Sequence, residues 1–236
     1  MSRRRWVPLV LTLGVTLTKG VALADPSAPG VIVDRAVVRF ITPETGGSAR
    51  PRFVSERTLA LEARLELMAE RPTGTGDGYD ERHVHAALER DIAEEMLAAL
   101  AEKLVSGSPP ARRPTDADMD RLEGQVSQAL FDRLGGRERV EAAAAAEQLD
   151  PPELNALWRR RALAAFYVDR AVTPVLDPSD EQLREVFRTS AHPYRGRPFD
   201  EVRVALRRWF VAERLRVAEN AFLQGARSRL RIVLTR

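Results

Sequence analysis

Cysteine is absent from this chain of 236 residues. Its absence excludes a disulfide framework, thiolate catalysis, zinc–thiolate sites and a lipidated cysteine near the N-terminus. Lysine is almost absent too: only Lys19 and Lys103 occur, so the basic set is nearly all arginine. Long apolar runs are confined to the first two dozen residues, and residues 25–236 are expected to be soluble without stable insertion in a membrane. No serine stands in a G-x-S-x-G turn, and the three histidines have no nucleophile beside them in sequence. The chain is therefore expected not to be an enzyme, and no catalytic, cofactor-binding or metal-binding residue is assigned.

The N-terminus reads as an export signal. Arg3–Arg5 form a positive segment, Val7–Thr18 an uncharged and mostly apolar one, and Ala22-Leu23-Ala24 a small-residue cleavage site. The apolar segment is shorter than the roughly 20 residues a membrane-spanning helix needs. Residues 1–24 are thus expected to be a signal peptide cleaved after Ala24, with residues 25–236 working in the periplasm or otherwise outside the cytoplasm. The whole chain carries 37 basic and 34 acidic residues, but Arg3, Arg4, Arg5 and Lys19 belong to the signal. The remaining 33 basic residues balance 34 acidic ones, which removes the electrostatic case for nucleic-acid binding.

Past the signal, hydrophobic periodicity organises the chain. Val31–Thr42 is dense in β-branched residues and predicts a strand. Helices follow at Glu56–Glu70, at Asp80–Val105 with apolar residues every fourth position, and from Thr115, where Asp118 completes a capping box. Arg137–Gln148 is a short alanine-rich helix. Asp150-Pro151-Pro152-Glu153 combines an N-cap, an early proline and a third-position glutamate, so a helix should run from there to Pro174. A short helix begins around Asp177–Asp180, and AHPYRGRP breaks it before one long amphipathic helix from Phe199. The chain closes on an alternating segment within RLRIVLTR, whose backbone groups need a ladder partner. The expected partner is Val31–Thr42.

This gives a mostly α fold: a multi-helix domain with a small β pairing between its N-terminal and C-terminal strands. Residues 25–236 form one domain, closed by 199–236. The glycine-rich loop RPTGTGDGY lacks the lysine and hydroxyl of a phosphate loop and the carboxylates of a calcium loop, so it reads as a connector. His83 and His85, two apart on a helix, point to different faces and cannot form an i, i+4 metal pair.

The order of elements resembles the SurA-type periplasmic chaperones. The resemblance lies in the strand VDRAVVRFIT, the stretch from TDADMDRLEGQVSQALFDRLGG to VTPVLDPSDEQLREVF, and the closing FLQGARSRLRIVLTR. In that family a C-terminal helix and strand return to the N-terminal domain, and a parvulin-type prolyl isomerase module is inserted between. Only 26 residues separate Thr173 from Pro198 inclusive, too few for such a module, which needs at least about 50. The resemblance therefore implies the chaperone part alone, without isomerase activity or a cofactor. It implies ATP-independent binding of unfolded or nascent envelope proteins, outer-membrane proteins among them, on an apolar helical cradle with the long final helix as one wall. The large groups Trp158, Phe166, Tyr167, Trp209, Phe210 and Phe222 are the candidate client-binding residues. An exported structural or adaptor subunit with one dedicated partner is the alternative.

Overall fold

The computed structural model describes residues 34–71, 73–109, 111 and 113–235. The segment expected to be an export signal, residues 1–24, and the first residues of the anticipated strand, 31–33, lie outside the described residues.

The structure is mostly helical, with a three-stranded antiparallel sheet in the order β2–β1–β3. Strand β1 (Ala36–Ile41) takes the centre, between β2 (Arg52–Ser55) and β3 (Arg231–Leu234). Val38 faces Leu234 and Ile41 faces Arg231, so the two ends of the domain pair as their sequences predict. Strand β2 was not predicted. It is four residues long and follows Pro51 through a 3₁₀ turn at Gly47–Ala49. A register shift between Ala36 and Val38 marks a bulge at Val37. The Val37 carbonyl accepts a hydrogen bond from the Thr235 amide at 3.0 Å, so the irregularity is satisfied by the chain end.

Helix α1 (Glu56–Glu70) is the element on which both cores converge. The Ser55 side chain caps it by accepting from the Thr58 amide. One side, Leu61, Leu65 and Met68, packs with residues of α3 (Asp116–Leu134), α4 (Arg137–Ala146) and α5 (Pro151–Tyr167). Another, Leu59 and Ala63, packs with the sheet residues Val38, Phe40 and Val54 and with α2 (Glu81–Gly107). A helix buried on two sides has little room for polar residues. Glu62 is nevertheless only 2% exposed.

The helix starts follow the sequence signals. Thr115 with Asp118 and Asp150 with Glu153 both form reciprocal capping boxes, and Asp80 forms one with the His83 ring. Gly135 ends α3 in the left-handed conformation, with φ of 87°. Buried alanines on α2, including Ala98, and on α5, Ala162 and Ala164, keep side-chain bulk low on two helices that pack closely together.

The predicted single helix from Pro151 to Pro174 is interrupted. After α5 the backbone widens into a π turn over Val168–Val172, and α6 (Thr173–Leu176) follows. Pro174 lies in the first turn of α6 and does not end the helix. Proline has no amide hydrogen for the i−4 carbonyl, and its ring crowds that turn. The wider turn, in which the Thr173 amide reaches the Val168 carbonyl, accommodates it without ending the helix.

Helix α7 (Asp180–Thr189), capped by Ser179, lies against the start of α8 (Phe199–Arg227). The two form an arm whose buried apolar residues are Leu183, Val202 and Leu206. At the far end of α8, Phe222 and Ala226 pack into the sheet core, and β3 follows. Residues Asp34–Arg236 form one compact unit. Among the described residues, no helix is long and apolar enough to cross a membrane.

Candidate functional site

Helices α2, α3 and α5 leave an open groove of about 690 Å³ along one side. Its apolar lining comes from Leu97 on α2, Val126, Ala129 and Leu130 on α3, Ala164 and Ala165 on α5, and Val168 at the start of the π turn. Polar lining comes from Arg90, Glu94, Arg133, Arg161, Asp169 and Thr173. A second hollow, of about 440 Å³, lies beside Ala111, Pro114 and Phe166 and shares Asp169 with the first. The π turn therefore contributes to both. Because a π turn sets side chains off the α-helical spacing, Val168 and Asp169 are not where a continuous helix would put them.

Next to the groove runs a network of buried charges that ties α1, α2 and α5 together. Arg161 pairs with Glu62 and donates from Nε to both Glu94 oxygens, at 3.1 and 3.2 Å. Arg160 pairs with Asp91 and lies 3.8 Å from Glu94 and 3.7 Å from Glu95. Arg90 pairs with Glu66, and Arg52 of β2 reaches Glu95 at 3.2 Å. Arg161 also lies over the Trp158 ring, with its guanidinium carbon 5.2 Å from the centroid.

The network perturbs its members strongly. Burial pushes the Asp91 carboxyl up to about 6; Arg160 opposes the shift, and repulsion from Glu62 and Glu94 adds to it. Burial alone would lower the Arg161 guanidinium, but Glu62 and Glu94 outweigh it and hold Arg161 above its ordinary value. An ion network of this depth adds little net stability against an apolar replacement, yet removing one partner strands its counter-charge. Its clearer consequence is geometric: it fixes the rotation of α2 and α5 about their axes, and hence which residues face the groove.

The six large residues singled out by sequence do not assemble into one surface. Trp158 is only 5% exposed and packs edge-on against Phe131, with ring centroids 5.9 Å apart and planes at 88°. It is a core residue, because α3 and α4 cover the face of α5 that carries it. Phe166 borders the smaller hollow, and Tyr167 is half-buried at the end of α5. Trp209 and Phe210 belong to the arm, where Arg214 covers the Phe210 ring at 4.5 Å. Phe222 packs against the sheet core. The groove lining contains no residue of α8, so the final helix is not one of its walls.

His192, in the loop between α7 and α8, has both ring nitrogens engaged. The Tyr194 amide donates to Nδ1 at 3.1 Å, and Nε2–H donates to the Phe187 carbonyl at 3.0 Å. Its ring stacks on Phe187 at 5.0 Å and meets Trp209 at 6.3 Å. It is a structural pin for the arm. His83 is likewise occupied at the start of α2, where Nδ1 accepts from the Asp80 amide at 3.1 Å.

Sequence reasoning missed the groove lining and the charges beside it. Val126 and Leu130 recur at helical spacing on α3, and periodicity does not show which part of such a stripe stays uncovered. The one available signal was Glu62, an acid set among Leu59, Leu61 and Leu65 on the apolar side of α1. No protein-family model, curated protein or solved structure matches this chain.

Proposed function

We propose that this protein is an ATP-independent chaperone of the cell envelope that holds unfolded or outer-membrane proteins by their apolar segments. The observation that carries this reading is the open groove between α2, α3 and α5, with seven apolar residues in its lining. Apolar surface left open between packed helices, with polar groups interleaved, is the form of a binding site for extended chains of varied sequence. The closure of the domain by β3 on β1 agrees with the element order of the SurA-type chaperones, and the export signal agrees with a periplasmic location. Binding and release would be an equilibrium, tuned by how much apolar surface the client offers.

The test is suppression of aggregation. Residues 25–236 are expected to keep an urea-unfolded outer-membrane protein soluble on dilution at near-stoichiometric ratio. An Ala129→Glu variant, which places a charge at an exposed position in the groove lining, should lose most of that effect while its thermal unfolding stays within a few degrees. No suppression by the parent protein, together with no detectable peptide binding, overturns the reading.

A further inference from the structure

We propose that the groove has a polarity: its arginine-lined end takes the C-terminal carboxylate of an otherwise apolar peptide. This rests on the chaperone reading and names the chemistry of the segment held.

Three guanidinium groups, of Arg90, Arg133 and Arg161, border the groove beside its apolar walls. They are not equally committed. Arg90 and Arg161 are paired with Glu66, Glu62 and Glu94. Arg133, on the last turn of α3, makes no hydrogen bond or ion pair among the described residues, and it is exposed. Partial burial and repulsion from Arg161 hold its guanidinium below the ordinary value, against the pull of Glu62 and Glu94. Arg161, also in the groove lining, is 8% exposed, and its buried Nη1 has no hydrogen-bond partner although the rest of the guanidinium is engaged. A guanidinium free to move, set against a second with an unused donor, is an incomplete anion site.

The opposing charges do not cancel it. Glu94 lines the groove but is held by Arg161 Nε through both of its oxygens. Asp169 belongs to the π turn and to the neighbouring hollow as well. Glu62 is turned to Arg161 and lies within 4.0 Å of Arg90. Burial holds the Arg90 guanidinium below its ordinary value against the pull of Glu62, with Arg161 adding repulsion.

An extended peptide fits this arrangement better than a detached anion does. Leu97, Val126, Ala129 and Ala165 offer contact to apolar side chains, while Asp169 and Thr173 offer oxygens to backbone N–H groups. A carboxylate without such a neighbour would meet only Arg133 in high dielectric, which is a weak contact.

Fluorescence anisotropy with residues 25–236 and three labelled peptides of the same apolar sequence decides the matter. One peptide ends in a free carboxylate, one is amidated, and one is amidated with an internal aspartate. The free acid is expected to bind about tenfold more tightly than the amide, consistent with one charge-assisted hydrogen bond, and the gain should shrink with added salt. Arg133→Gln should abolish the difference between the free acid and the amide while the melting temperature stays within a few degrees, because Arg133 is exposed at the end of α3. Arg133→Lys should restore part of it. Tight binding by the free terminus alone supports the chain-end carboxylate, and equally tight binding of the internal-aspartate peptide overturns that assignment. Equal binding of all three peptides overturns the carboxylate site while the chaperone reading stands. Binding of none overturns both.

Discussion

Two regions of this molecule solve the same packing problem at very different depth. In the body, α1 is buried on two sides, α2 and α5 approach through alanine, and a charge network joins three helices with hardly any access to water. In the arm, Leu183, Val202 and Leu206 are fully buried, and the rest of the contact is a cluster of rings around His192. The arm's ion pairs, Arg203 with Asp180 and Arg207 with Asp177 and Asp180, are open to solvent, where such pairs add little. Nearby Val175 is 79% exposed. Few apolar contacts and wet polar ties are the marks of a segment that opens before the whole does. The body should behave as one cooperative block, and the arm as a flap with a stability of its own.

The sharpest way to break this contrast is to remove one tryptophan from each region. Trp158→Ala should cost about 3–5 kcal/mol of global stability, read from the denaturant midpoint, because α3, α4 and Phe131 cannot close the cavity. A loss below about 1 kcal/mol would mean that the body is not the block described. Deleting Arg229–Arg236 should cost about 3 kcal/mol, from several ladder hydrogen bonds at roughly 1 kcal/mol each. It should also speed amide exchange in β1, which faces β3 over four residue pairs. Unchanged melting would remove β3 as the closing element.

The charge network gives a prediction with a sign. The Asp91 carboxyl binds its proton more tightly folded, at about 6, than at its ordinary value of 3.8. Stability from this group is therefore complete below about pH 4 and is lost as pH rises through 6, by on the order of 2 kcal/mol. Chemical denaturation of Asp91→Asn across that window should show a flatter profile than the parent protein. Smaller effects are expected at the periphery. Trp209→Ala should cost about 1–2 kcal/mol and raise hydrogen exchange in α7 and the first half of α8 alone. Asp150→Ala should cost about 1 kcal/mol through the lost cap of α5.

What the sequence made legible was local or periodic. Glu56–Glu70 was read to the residue because Ser55, a broad leucine face and a following loop all agree. The capping boxes at Thr115 and Asp150 involve atoms three residues apart, so spacing alone specifies them. The pairing of the two ends was legible for a different reason: an alternating segment had few other strands to pair with. Strand β2 was not legible, because Arg52–Ser55 is too short for an alternation and its Phe53 points to solvent. Nor was the burial of Arg160 and Arg161, whose partners Asp91 and Glu94 come from α2, 67 to 69 residues away in the chain. The groove was hidden for the same reason as the network: both depend on how three distant helices are rotated against one another.

The central position of β1 carries a consequence for how the molecule comes into being. Thr235 and Ala36 are hydrogen-bonded across 199 residues of chain. A chain made from its N-terminus onward has β1 early, yet it must wait for nearly every later residue before that strand's second edge is covered. Until then β1 presents an open ladder, able to pair with any extended segment nearby. Strand β3 thus works as a latch for the newborn chain: its arrival covers the second edge of β1 and ends the period in which that edge can be mispaired.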